Sequence, residues 1–339
     1  MAIKMLVFDV RNCEKELFNI PDCENFDIKF YSECLNDESI KQIPQEELDS
    51  AMAISVFVDS QISENVINSF KNLRIISTRS SSIEHINKKA AADKNIDIVN
   101  VEGYSSKTAA QFTIGLMIAL VRNIIPLSKF LEKGEIFDYT GYDISKLTIG
   151  VIGTGATGAE VCKIAQGIGM QTLAYDVVEK QELLNKTNAE YVDFETLLKK
   201  SDIVTIHLPF NMESKNLISK PQFQMMKKSA YIINISKAEI VNIKDLYNAI
   251  KSKEIKGAAL DIKTCDSVNP MCKKFGEKIH KNLDCYEETK ILKELSKLPN
   301  IIITPQVAYK TTDVLEYILK SSIHGVLDCI KGGNKFKAC

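Results

Sequence analysis

The stretch Leu147-Thr148-Ile149-Gly150-Val151-Ile152-Gly153-Thr154-Gly155-Ala156-Thr157-Gly158 decides the fold of this chain. An apolar strand, Leu147 to Ile152, runs into Gly-x-Gly-x-x-Gly. A helix-like stretch, Ala159 to Gly167, follows, and a second strand, Thr172-Leu173-Ala174-Tyr175, ends on the carboxylate of Asp176. Strand, turn, helix, strand and terminal acid at this spacing are the pattern of a dinucleotide-binding βαβ unit. Gly153 is expected to make the tight turn, Gly155 to let backbone approach a pyrophosphate, and Gly158 to let the helix pack closely on the sheet. Ala156 and Thr157, between the glycines, are expected in the same cofactor site, and the positive N-terminus of the helix would receive the phosphates. Asp176 would accept hydrogen bonds from the adenosine ribose and repel a 2′-phosphate, so NAD is expected rather than NADP. A ligand-free glycine turn would account for the glycines but not for the acid.

The rest of the chain, read outward from that unit, has the size of two domains, at 339 residues and 45% hydrophobic content. Its 43 basic and 44 acidic side chains nearly cancel, which leaves no basic field for nucleic acid. Phe112 to Val121 is the most apolar helical segment, too short to cross a membrane and interrupted by Gly115. The first residues, Met1-Ala2-Ile3-Lys4-Met5, run directly into a strand without a secretory leader, so a cytoplasmic protein is expected. The nine cysteines do not form a disulfide framework, and reduced thiols are the default. Cys265, Cys272, His280 and Cys285 form a local concentration without a compact CxxC pair, and no metal is expected there.

Ile3 to Val10, Phe26 to Phe30, Ala53 to Val58, Leu73 to Ser77 and Ile96 to Val99 read as strands of a first parallel α/β domain. A helical pattern from Thr108 to Ile125, closed by Pro126, leads into the dinucleotide domain. Further strands follow at Ile203 to Leu208, Tyr231 to Ile235 and Gly257 to Ile262, and Ile301 to Pro305 precedes a terminal helix, Thr311 to Lys331. The expected fold is α/β, with two Rossmann-like, doubly wound parallel-sheet domains. Residues 1–102 with 302–339 would form a discontinuous, flavodoxin-like substrate domain, and residues 103–301 the NAD-binding domain.

In this order of motifs the chain resembles the D-isomer-specific 2-hydroxyacid dehydrogenases, and the D-lactate dehydrogenase branch most closely. The resemblance is carried by Ile149 to Gly155, Ala174-Tyr175-Asp176, His207-Leu208-Pro209, Ile233-Asn234-Ile235-Ser236, Gly257-Ala258-Ala259-Leu260-Asp261 and Ile303-Thr304-Pro305. It implies that His207 and Pro209 line the adenosine side and that Ile235 and Ser236 belong to the cofactor site. It also implies that Asp261 holds the nicotinamide carboxamide, that Tyr104 and Tyr309 lie on the substrate side, and that the protein is a homodimer. The Thr108 to Ile125 helix would be either a contact element of that dimer or an interdomain core.

The resemblance breaks at the three groups with which the family reduces a 2-oxo acid: an arginine gripping carboxylate and carbonyl, a proton-passing histidine, and a glutamate raising the histidine's pKa. Lys237, Gln306 and Thr264 stand in their places. The family's Val-Gly-Val-Asp loop, whose backbone N–H groups receive the substrate carboxylate, corresponds to Ser81-Ser82-Ile83-Glu84. Lys237 keeps the positive charge without the planar two-pronged grip. Gln306 can donate a hydrogen bond to a carbonyl oxygen but cannot deliver a proton near neutral pH, and that delivery is typically worth about 10² to 10⁴ in rate.

Three readings follow. One is an NAD-dependent oxidoreductase acting on a non-standard 2-oxo-acid-like or imine-like small molecule, with a lysine of lowered pKa (Lys237) or His85 as substitute acids and Lys310 adding positive charge. Another is a catalytically silent NAD(H) sensor or interaction scaffold. The third is an ordinary 2-hydroxyacid dehydrogenase of low activity, with water in place of the histidine.

Overall fold

The computed structural model describes residues 2–10, 12–19, 21–129, 140–262, 283–334 and 336–338. The cluster Cys265, Cys272 and His280 lies outside them, as do Thr264 and the side chain of Cys285. The chain divides into two units, described one at a time.

The first unit is built from residues up to Tyr104 together with Thr311 onward. Its sheet is parallel, with five strands: β1 (Ile3–Val7), β2 (Phe26–Phe30), β3 (Ala53–Val56), β4 (Ile75–Thr78) and β5 (Asp97–Val99), in the order β2-β1-β3-β4-β5. β1, β3 and β4 are apolar or small at nearly every position and buried, as expected for strands covered on both faces. The Thr312–Ile330 helix, capped by the Thr311 side chain on the Val314 N–H, places Leu319, Ile323 and Val326 against Met5, Ala53, Ile75 and Val99. This helix returns the distant end of the chain to the first sheet.

The second unit holds residues from Ser105 up to Lys310. Seven parallel strands follow: β6 (Thr148–Ile152), β7 (Gln171–Tyr175), β8 (Ala189–Tyr191), β9 (Ile203–Ile206), β10 (Tyr231–Asn234), β11 (Gly257–Asp261) and β12 (Ile301–Thr304). Their order is β12-β11-β10-β9-β6-β7-β8. The direction of winding reverses between β9 and β6, and in such sheets the crevice beyond the strand ends at the reversal is where ligands bind.

The structure differs from the sequence expectations at several points. The boundary expected before residue 302 falls after Lys310, because β12 pairs with β11 in parallel register (Ala258 opposite Ile301) and so belongs to the dinucleotide sheet. The edge strand β8 was not foreseen. The helix expected from Thr108 to Ile125 runs from Ser106 to Val121, and Asn123, in the left-handed region at φ 48°, breaks it ahead of Pro126. Pro126 sits inside a separate short helix, Ile124–Ser128, early enough that its missing N–H costs no helical bond. The long helix packs against the Ala156–Gly167 helix, and Ala110, Met117 and Val121 join Val161 and Ala165 in one buried cluster. Its apolar stripe is therefore consumed within the unit. Cys34 is disulfide-bonded, against the expectation of reduced thiols throughout, whereas Cys162 and Cys329 are free. Among the described residues no helix is long and apolar enough to cross a membrane.

Candidate active site

The glycine loop sits at the reversal of winding in the second sheet. Gly153 has φ +90°, and a Cβ there would come within 2.7 Å of the His207 carbonyl oxygen on the adjoining β9 loop, so only glycine fits. A Cβ on Gly158 would overlap the Gly153 carbonyl oxygen, which ties the first turn of the Ala156–Gly167 helix tightly to the loop. A Cβ on Gly155 would meet no protein atom within 4 Å. Packing therefore does not require glycine at 155; a ligand lying on the loop would. Gly155 caps the helix without a side-chain acceptor, so the first-turn amides around Ala156, Thr157 and Gly158 keep their donors for an anion.

Asp176 stands one residue past β7. Its Oδ2 accepts hydrogen bonds from the Thr154 N–H at 2.6 Å and the Thr154 hydroxyl at 2.9 Å. Burial alone would raise its pKa, but these bonds hold it below the usual carboxylate range, so it is ionised throughout the neutral region. Thr154 Oγ1 also meets the Tyr191 hydroxyl at 2.8 Å, and Lys180 Nζ reaches the Thr154 carbonyl at 3.1 Å. The acid thus braces the glycine turn as well as presenting charge, a task that the motif alone does not reveal. Asp176→Ala is expected to weaken NADH binding about tenfold, the worth of a charge-assisted hydrogen bond, and to relax discrimination against NADPH. Asp176→Asn, which can keep both Thr154 bonds, should relax discrimination with a smaller loss for NADH. Titrations of both variants with both cofactors check this, and unchanged affinities for both would remove Asp176 from the ribose site.

His207 follows β9. Both of its ring nitrogens are buried and lack a hydrogen-bond partner, and burial pushes its pKa down to about 3, so the ring is neutral. A buried imidazole with neither nitrogen paired is costly unless something else fills the site. With Gly153 packed on its carbonyl and Pro209 exposed two residues on, His207 offers polar groups beside the glycine cradle that suit a nucleotide. The residues present fit NAD.

The remaining candidates lie at the carboxyl ends of β10, β11 and β12. Asn234, fully buried, donates from Nδ2 to the Lys237 carbonyl at 3.0 Å and accepts from the Ser236 N–H at 2.9 Å, which fixes the turn through Ile235 and Ser236. The Ser236 hydroxyl donates to the Ile206 carbonyl. Lys237 is exposed. Asp261 is almost wholly buried, and its carboxylate accepts from the Thr304 hydroxyl, the Val307 N–H at 2.9 Å and the Ala308 N–H at 2.7 Å. It clamps the loop on which Gln306 stands, in the left-handed region at φ 53°, with Tyr309 and Lys310 half-buried just beyond. This anchoring role was not foreseen from the sequence.

In the first unit, Ser81 and Ser82 are exposed on the loop after β4, and Tyr104 is half-buried with its phenol pKa raised by burial. His85 is pushed down to about 4 by burial, against the opposing charge of Glu84, so at neutral pH it carries no proton to give. Sequence reasoning missed Arg79. It is buried at the end of β4, donating to Ser55 Oγ at 2.9 Å and to the carbonyls of Phe8 at 2.7 Å and Asp9 at 3.1 Å, and so ties the ends of β1, β3 and β4 together.

Comparison with known proteins bears directly on this site. The family described as D-isomer specific 2-hydroxyacid dehydrogenase, NAD binding domain, matches residues 114–308. The chain belongs to this family. The matched span includes the glycine loop, Asp176, His207, Lys237, Asp261 and Gln306, and it forms the NAD-binding domain of an NAD-dependent oxidoreductase family. The "Putative 2-hydroxyacid dehydrogenase" of Staphylococcus haemolyticus is 30% identical over 317 residues, 91% of each chain. Among solved structures, the D-isomer specific 2-hydroxyacid dehydrogenase from Lactobacillus delbrueckii ssp. bulgaricus, in its NAD-complexed form, superposes with a TM-score of 0.80 at 26% identity. It covers 99% of this chain and 100% of its own. The D-lactate dehydrogenase from Aquifex aeolicus, complexed with NAD and lactic acid, gives 0.80 at 28% identity, over 97% of this chain and 96% of its own.

Proposed function

We propose that this protein is an NAD-dependent oxidoreductase with a remodelled substrate site, acting on a small 2-oxo-acid-like or imine-like acceptor. The observation that carries the reading is a contrast within one unit. The nucleotide cradle has ligand-shaped features, in Gly155, the uncapped helix and the unpaired His207, while the position of the family's acid holds Gln306. Bound NADH supplies a hydride.

The chain's own residues then limit which acceptors can be reduced. The Gln306 amide can donate a hydrogen bond to the acceptor's heteroatom, and the Asp261 clamp holds the backbone that presents it, but it gives up no proton. Lys237 attracts a carboxylate without fixing its orientation. An iminium carbon that takes up hydride becomes a neutral amine with no proton delivered, whereas a ketone needs one on the nascent alkoxide. The substitutions at 237, 264 and 306 are consistent with the first kind of acceptor. By likeness to the family, the protein is proposed to be a cytoplasmic homodimer with no nucleic-acid or membrane partner.

The test is NADH consumption against a panel of small 2-oxo acids, each with and without ammonia. Turnover that requires ammonia establishes the imine-like acceptor, and turnover independent of it establishes a slow 2-hydroxyacid dehydrogenase. If the protein binds NADH tightly but is silent toward the whole panel, the oxidoreductase reading gives way to an NAD(H) sensor or scaffold.

A further inference from the structure

The loop that replaces the family's glycine-containing substrate loop is held by a chain of hydroxyl groups ending on a histidine. His85 Nε2 lies 3.2 Å from Thr78 Oγ1, Thr78 Oγ1 lies 2.8 Å from Ser80 Oγ, and the Ser80 hydroxyl donates to the Ser82 carbonyl at 2.8 Å. Thr78 and Ser80 are buried. Each hydroxyl owns one hydrogen, and this fixes the direction of the whole chain. Ser80 spends its hydrogen on the carbonyl, so it must accept from Thr78. Thr78 has then spent its own and must accept from His85. The imidazole therefore carries its hydrogen on Nε2.

The far end of this chain sets the orientation of a peptide group. No described peptide bond is cis, so turning the Ser82 carbonyl inward toward Ser80 aims the Ile83 N–H to the opposite side. The rest of the loop is pinned as well. The Ser81 carbonyl accepts from Asn100 Nδ2 at 3.1 Å, the Ser80 carbonyl from the Val101 N–H at 3.1 Å, and the Ile83 carbonyl from the Ile86 N–H at 3.1 Å. The His85 backbone is anchored in turn, since its carbonyl accepts from the Ile62 N–H at 2.8 Å.

We propose that His85 is a positioning residue: through Thr78 and Ser80 it locks the Ser82 peptide so that the Ile83 amide is presented outward as a donor for a substrate carboxylate. Whether that anion belongs to the substrate rests on the proposed function; the direction of the chain does not. The device answers a problem the substitution itself creates. With serine in place of glycine at 82, the loop has a side chain where backbone must approach a ligand, and its peptide planes need to be held for an amide to remain accessible. Burial keeps the imidazole neutral, which suits a single donor on Nε2.

Nitrogen-resolved NMR of uniformly ¹⁵N-labelled protein at pH 7, followed by titration of the NADH complex with oxamate, tests the proposal. The expected spectrum shows a neutral His85 with its hydrogen on Nε2. His85→Leu, which removes the donor, should shift the Ile83 amide resonance and weaken oxamate about tenfold, the worth of one misplaced hydrogen bond, with NADH affinity unchanged. His85→Gln, which keeps an N–H at similar reach, should restore oxamate binding to within about threefold. A hydrogen on Nδ1, or a glutamine variant as weak as the leucine variant, would overturn the proposal. Failure of the wild-type NADH complex to bind oxamate, with the Nε2 hydrogen in place, would instead overturn the 2-oxo-acid reading and leave the chain's direction standing.

Discussion

Gly158→Ala should cost about 10² in NADH affinity, because displacing the first helical turn takes about two charge-assisted hydrogen bonds, each worth about 1.5 kcal/mol, away from the phosphates. The added Cβ overlaps the Gly153 carbonyl oxygen, and that oxygen is backbone. Gly153 cannot retreat, since it is held at φ +90° against the His207 carbonyl and its N–H donates to the Tyr175 carbonyl at 2.8 Å. The helix must move instead. Its first-turn donors then leave the position where phosphates would lie, and overpacking of this sort also costs about 1–3 kcal/mol of stability. Two control substitutions isolate the cause. Gly167→Ala lies in the same helix with nothing within 4 Å, so it should leave NADH binding unchanged and tend to stabilise the helix. Gly155→Ala also meets no protein atom and should leave the melting temperature unchanged, yet it should lose NADH affinity, because its methyl group enters the space in front of the loop. NADH fluorescence titrations paired with thermal melts give all three results. If Gly155→Ala binds NADH as well as wild type does, the loop is not the pyrophosphate cradle.

The contrast among these glycines also shows what a sequence reveals and what it conceals. The cofactor unit was legible because its signals are local: a strand, three glycines and an acid within thirty residues, each tied to a backbone requirement. The tasks of Asp261 and Asp176 were harder to see because they depend on partners brought together by folding. Asp261 finds Val307 and Ala308 across two strand ends, 46 and 47 residues away, and Asp176 finds Thr154 across 22. Arg79 escaped notice for the same reason, since the carbonyls it holds are 70 and 71 residues earlier. The chain from His85 to Ser82 lies within eight residues, but it follows neither helical nor strand spacing and exists only because the loop after β4 turns back on itself. The break at Asn123 was missed because Pro126 is the stronger signal in sequence, whereas the backbone used the residue that tolerates left-handed geometry. The expectation for Lys237 rests on burial, and exposure is a property of the folded surface that residue type does not give.

Introducing the acid that the family resemblance implies for position 306 is the complementary experiment on the chemistry, and its expected effect is larger still. The variant Lys237→Arg, Thr264→Glu, Gln306→His should gain 2-oxo-acid reduction by about 10² to 10⁴ over wild type, the usual contribution of a placed general acid, equivalent to about 3–5 kcal/mol of barrier. The structure favours this because the backbone at 306 already suits the incoming residue. Gln306 sits at φ 53°, where histidine is several-fold enriched over most residues, and the Asp261 clamp that fixes the loop uses only the backbone of Val307 and Ala308 and the hydroxyl of Thr304. None of these contacts involves the Gln306 side chain, so the exchange should not unfold the loop. Gln306→His alone should gain less, because a histidine without a carboxylate partner lacks the raised pKa that keeps it protonated. Steady-state rates across pH distinguish the cases: the triple variant should show a new ionisation limiting the rate at high pH, as an acid loses its proton, and the wild type should not. A triple variant that folds, binds NADH with wild-type affinity and still reduces no 2-oxo acid would mean that the substrate side has diverged beyond these three positions, with the loop around Ser81 and Ser82 as the next place to look.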